Sequence, residues 1–99
     1  MDMIESNALS LGARVRRAPH IRWRREVDTV VLYDTKTREM NSLNHAGALV
    51  WELLDGTMTL EEIAQAVVEE FKADKTRVQP DVLKFVEKLQ QLSYVESVG

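Results

Sequence analysis

Leu43-Asn44-His45-Ala46-Gly47-Ala48-Leu49-Val50-Trp51-Glu52-Leu53-Leu54-Asp55-Gly56-Thr57 is the most apolar run of the chain, and both its ends are punctuated. Asn44 is a favourable N-cap, because its side-chain carbonyl accepts from an otherwise orphaned backbone N–H one turn further on. Gly56 suits the left-handed position just past a helix end. Between them Ala46, Leu49, Val50 and Leu53 recur at helical spacing, and Leu54 widens the stripe. Trp51 falls outside that stripe, so the helix is apolar over much of its circumference. A helix of this kind is buried on several sides. The stretch therefore reads as a central helix, with strands before it and two more helices after it.

Upstream, residues 1–13 lack periodicity and read as a flexible N-terminal tail, followed by a single domain over residues 14–99. Six arginines lie between Arg14 and Arg25. The arginines of that segment read as a solvated strand face plus a flexible arm, or as a basic patch for an acidic partner. In the second half Ile21 and Trp23 alternate with Arg22 and Arg24, the pattern of a half-buried strand. Both Trp23 and Trp51 read as core anchors. Val27-Asp28 turns the chain, and Thr29-Val30-Val31-Leu32-Tyr33 is β-branched and aromatic, as a central strand is. Asp34 can bond its own downstream backbone in the turn Asp34-Thr35-Lys36-Thr37. Arg38-Glu39-Met40-Asn41-Ser42-Leu43 then makes a short, polar third strand with the character of a managed sheet edge, its outer backbone groups without a partner.

Downstream, Thr59 and Glu62 form a capping box that starts a second helix. Leu60, Ile63, Ala64, Val67 and Phe71 share one face of it, away from Glu61, Gln65, Glu69 and Glu70. Lys72 to Val78 reads as a charged loop, with Pro80 at the first position of a third helix and Asp81 suited to its positive end. This helix runs to about Leu92. Val82, Phe85, Val86, Leu89 and Leu92 form its main apolar face, and Leu83, about 100° from Val82, lies beside Gln90 and widens the arc. Leu83 and Val86 are thus predicted to offer surplus apolar surface. Tyr94-Val95-Glu96 closes the chain in extended form.

With 99 residues, 44% hydrophobic and 29% charged, one soluble domain is expected. There is no cysteine, hence no disulfide and no thiolate metal site. No apolar run approaches a membrane span, and the first residues do not resemble a signal peptide, so a cytoplasmic location away from membranes is expected. His20 and His45 have no metal-ligand spacing; His45 reads as a packing or surface residue. Glu61-Glu62 and Glu69-Glu70 read as solvated helix faces. Phosphate-cradling and nucleophile motifs are missing from the sequence. The inventory points to a binding module: no enzyme, no catalytic residue, no cofactor and no metal.

The combination L-N-x-x-A…W-x-L-L-D-G-x-x-T-x-x-E-I, from Leu43 to Ile63, followed by Pro80-Asp81-Val82, resembles the PqqD family, the RiPP precursor peptide recognition elements. The resemblance spans about residues 18 to 96. It implies an α+β, winged helix-turn-helix-like fold: a three-stranded antiparallel sheet followed by three helices. It also implies a peptide chaperone that binds the leader segment of a ribosomally made precursor by strand addition and delivers it to a modifying enzyme, often a radical S-adenosylmethionine (SAM) protein. In relatives the leader joins the third strand, in a groove shared with the third helix. Carried onto this chain, the peptide-binding residues are Arg38, Glu39, Met40, Asn41, Ser42 and Leu43 with Val82, Leu83, Val86, Glu87 and Gln90. Members of the pyrroloquinoline quinone pathway usually carry an arginine-glycine start to the first strand and a leucine-leucine-alanine-proline-glutamate segment in the second. Here those places read Pro19-His20-Ile21-Arg22 and Val31-Leu32-Tyr33-Asp34, which points to another peptide-modification cluster.

The alternatives are a quinone-pathway protein, a structural adaptor and a winged-helix DNA-binding protein. Against the last, the charges of Asp81, Lys84, Glu87 and Lys88 on the third helix cancel, the second helix is acidic and the net charge is −3. Phosphate contacts dominate DNA affinity, so no specific nucleic-acid partner is expected.

Overall fold

The computed structural model describes residues 9–98. The expected meander is there: β2 (Ile21–Glu26), β3 (Thr29–Asp34) and β4 (Met40–Leu43) form an antiparallel sheet in that order. Val27-Asp28 is a two-residue turn, with Glu26 opposite Thr29. Val30 and Leu32 on the central strand are fully buried beneath α1 (His45–Leu53).

A second antiparallel sheet was not expected. In it β1 (Arg14–Arg17) lies between β5 (Asp55–Thr59) and β6 (Val95–Val98). The arginine arm is therefore corrected at its start: Val15 is fully buried and alternates with the exposed Arg14 and Arg16. The partners of this strand lie roughly 40 and 80 residues away, a distance that local periodicity cannot register. Residues 9–13 lead into it, and the carbonyls of Leu11 and Ala13 accept from the N–H groups of Glu61 and Leu60 at 2.8 and 3.0 Å. The rest of the expected tail, residues 1–8, lies outside the described residues.

Asn44 caps α1 as expected, its Oδ1 accepting from the Gly47 N–H at 2.8 Å. The helix ends sooner than expected, with Leu54 as its C-cap. Gly56 does adopt a positive φ of 90°, but inside β5, where a Cβ would stand 3.2 Å from Val98 Cγ2. The buried residues are Ala48, Val50, Trp51 and Leu54, whereas Leu49 and Leu53 are half-buried and Ala46 is exposed. The indole is the largest apolar side chain, and the core forms around it. Trp23, in contrast, is 39% exposed and no core anchor; its ring stands edge-on to Trp51 at 6.4 Å, with the Arg17 guanidinium 5.0 Å from its centre.

The capping box forms as expected at the start of α2 (Leu60–Phe71). Lys72 closes that helix with a left-handed φ of 52°. The predicted loop to Val78 is mostly helix, because α3 (Lys75–Gln91) begins at an Asp74 cap whose Oδ1 accepts from the Thr76 N–H at 3.0 Å. Pro80 is consequently inside the helix rather than at its start. At the far end Ser93 takes φ 65° and the Tyr94 N–H donates to the Leu89 carbonyl at 2.9 Å, turning the chain into β6.

Candidate functional site

The site is built from the outer edge of β4 and the helices beside it. The β3–β4 turn is held by Asp34, which is buried, and whose Oδ1 accepts from the Lys36 and Thr37 N–H groups at 2.8 and 3.2 Å. Burial alone would raise this carboxyl, but those N–H groups, the Thr37 hydroxyl and nearby His20 together hold it below its ordinary range. Arg38 and Glu39 belong to this turn: Arg38 has φ 68° and donates its N–H to the Asp34 carbonyl, and the Glu39 carbonyl accepts from the Asp34 N–H. Pairing runs Tyr33↔Met40, Leu32↔Asn41, Val31↔Ser42 and Val30↔Leu43. Among the described residues no strand pairs with the other edge of β4.

Beside that edge lies an open groove of about 500 Å³. Ser42 and Leu43 of β4 line it, followed by Asn44, Ala46, Gly47 and Val50 of the α1 end. The opposite wall is Val78, Asp81, Val82 and Phe85 of α3, and Val67, Phe71 and Ala73 close it from α2 and the following turn. Asp81 is the only charged lining residue. Gly47 sets the width, since a Cβ there would approach Phe85 Cζ to 3.3 Å. Exposed His45 stands edge-on to Phe71, with ring centres 4.8 Å apart.

Of the eleven residues predicted from the sequence, Ser42, Leu43 and Val82 line this groove. Asn41 shares the inner face and donates from Nδ2 to the Tyr94 hydroxyl at 2.9 Å. Met40 points to the outer face of the sheet and is 65% exposed. Four residues of α3 are displaced from the expected flank. Val86 is fully buried in the core, and Leu83 is half-buried against the core without lining the groove. The Glu87 carboxylate accepts from the Leu9 N–H at 3.3 Å, and Gln90 Nε2 donates to Ser97 Oγ at 3.3 Å. These contacts put them beside the start of the chain and β6. The difference in placement has one source. A helix begun at Pro80 hides the stripe Val78, Asp81, Val82, Phe85, whose i, i+3, i+4, i+7 spacing marks the groove wall. Phe71 was legible as apolar but not as part of a groove, and Gly47 carried no signal.

At its C-terminal end α1 is tied to the strands by charge. Arg17 Nη1 donates to the carbonyls of Trp51 and Glu52, both at 2.9 Å. Arg25 grips the Glu52 carboxylate with two bonds of 2.7 and 2.8 Å, which hold that carboxyl below its usual range. Among the described residues no cluster of His, Asp or Glu is arranged to hold a metal ion, and no helix is long and apolar enough to cross a membrane.

The family described as "Coenzyme PQQ synthesis protein D (PqqD)" matches residues 29–95. No curated protein sequence matches the chain significantly. Three solved structures are similar. TbiB1 in complex with the TbiA(beta) leader peptide is 25% identical, with a TM-score of 0.76 over 85% of this chain and 98% of that one. Lasso peptide synthetase B1, complexed with the leader peptide, is 24% identical, with a TM-score of 0.75 over 85% of this chain and 99% of that one. The PqqD truncation of Methylobacterium extorquens PqqCD, described as a functional and stand-alone RiPP recognition element, is 25% identical, with a TM-score of 0.75 over 94% of this chain and 99% of that one.

Proposed function

This chain belongs to the PqqD family, and from that premise we propose that it is a non-catalytic recognition element. It binds the leader segment of a ribosomally made precursor peptide and presents it to a modifying enzyme. The observation that carries the reading is the unpaired edge of β4 beside an apolar groove. In strand addition the backbone bonds give affinity and pockets for alternate side chains give specificity. Two of the similar structures, which hold leader peptides, support the same role.

The leader pairs with residues 40–43, and every second side chain enters the space between Leu43 and the Val82–Phe85 wall. Arg38 and Glu39 flank the entrance. Glu87 and Gln90 have no part in it, and Leu83 and Val86 support the wall from behind. The receiving enzyme is a radical SAM protein, the class that the family resemblance names, and the domain works with it in the cytoplasm.

A synthetic leader from the precursor encoded beside this chain tests the site. Phe85→Ser, at a half-buried position, should weaken its binding at least about tenfold, or roughly 1.4 kcal/mol, while the circular dichroism spectrum is kept. Amide shifts should centre on residues 40–47 and 78–85. Shifts confined to the acidic face of α2 would mean that peptides bind elsewhere.

A further inference from the structure

The side of the β2–β3–β4 sheet turned away from α1 carries a second surface. By register it presents Arg22 and Arg24 from β2, Val31 and Tyr33 from β3, and Met40 from β4. Tyr33 is 36% and Met40 65% exposed, and a shallow cavity of about 240 Å³ lies on this face. An apolar strip with a polar rim is the usual form of an interaction site. The rim is basic. Among the described residues Arg22 has no carboxylate partner and Arg24 has Glu26 alone, in an exposed pair at 2.6 Å that water screens. In a chain of net charge −3 this basic rim is a local feature.

We propose that this face docks the modifying enzyme through an acidic patch with an apolar centre, and that a leader seated on β4 completes the docking surface. The second clause rests on the strand-addition reading above. Side chains alternate across a strand. A leader paired with β4 therefore sends half of its side chains into the groove and the other half onto the outer face, next to Met40. The enzyme then meets one continuous surface, part domain and part substrate, and binds the loaded domain more tightly than the empty one. By reciprocity it also tightens the leader's hold. The charge of the rim favours an acidic patch on the partner and opposes a face-to-face pairing with a second copy of this chain, whose own arginines would meet Arg22 and Arg24.

The test uses the intact chain, its synthetic leader and the purified modifying enzyme encoded beside them. Enzyme affinity is measured with and without leader for the wild type, Arg22→Glu and Tyr33→Ser; leader affinity of each variant serves as the folding control. The leader should tighten enzyme binding at least about fivefold. Both variants should weaken enzyme binding at least about tenfold, with leader affinity unchanged within about twofold. Added salt should weaken the wild-type complex more than the Arg22→Glu complex. Equal enzyme affinity in wild type and both variants would overturn the docking face. Wild-type self-association that either variant dissolves would overturn it in favour of a second copy. Enzyme binding that depends on Arg22 in a domain that binds no leader would instead overturn the groove reading and the shared surface.

Discussion

Asp34 is the one charged side chain buried among the described residues, and it decides how the β3–β4 turn responds to acid. Its carboxyl is lowered in the fold, because the N–H bonds outweigh the effect of burial. A lowered carboxylate stabilises the fold above the unfolded value, about 4, and that contribution is lost as pH falls through the folded value. Glu52, Asp55, Glu62 and Asp74 are also lowered, through bonds from Arg25, Thr57, Thr59 and Thr76, and share the acid response. Asp34→Asn should therefore lower stability at pH 7 and leave a shallower loss below about pH 4 than the wild type shows. Urea melts across that range measure both, and identical acid slopes would remove Asp34 from the account. Arg38, in the same turn, holds a left-handed φ, a conformation that most side chains avoid.

At the scale of elements, Trp51 is the largest side chain that seats α1. Trp51 is fully buried, so Trp51→Ala should cost about 3–5 kcal/mol. Among the described residues its indole N–H has no acceptor, a penalty of about 1–3 kcal/mol set against the burial of the ring. Leu53, which is only half-buried, should cost clearly less on truncation to alanine. Equal losses in urea melts would show that the helix is seated differently. In α2 the Thr59 hydroxyl and the Glu62 carboxylate serve each other's backbone N–H groups at 3.2 and 2.8 Å. Thr59→Ala should therefore destabilise by about 1 kcal/mol, and a thermal midpoint unmoved by the change would mean that the box contributes nothing. For α3 the decisive residue is Asp74. Its cap adds the turn that brings Val78 into the groove wall, and the helix tolerates Pro80 in its interior.

Over the whole molecule charge is unevenly divided, and most of the Arg14–Arg25 cluster bonds within the fold. Arg16 pairs with Glu96, Arg24 with Glu26 and Arg25 with Glu52, while Arg14 and Arg17 bond backbone carbonyls. Part of the cluster is thus structural, while Arg22 and the screened Arg24 stay on the outer sheet face; α2 carries the opposite sign with Glu61, Glu62, Glu69 and Glu70. Binding to duplex DNA should be weak, without sequence preference, and lost as salt rises from about 50 to 200 mM. A sequence-specific footprint at physiological salt would show a different function.

The features legible before folding were local ones. The Asn44 cap, the Thr59–Glu62 box, the Asp34 turn, the β2–β3–β4 meander and the polar edge strand are each encoded within a few residues, because caps, turns and hairpins form between near neighbours. Ser42, Leu43 and Val82, expected from the family resemblance, lie along the groove. The remaining features depend on long-range packing. The β5–β1–β6 sheet joins three separated segments, and no period in Arg14–Arg17 announces partners at Asp55–Thr59 and Val95–Val98. The rotation of α3 is set by core packing: Val82, Val86 and Leu89 are drawn inward together, which turns Val78 and Phe85 toward β4 and leaves Leu83, Glu87 and Gln90 on another side. A helical stripe records which residues are apolar. Which part of a wide stripe is core and which part is groove depends on what packs against it.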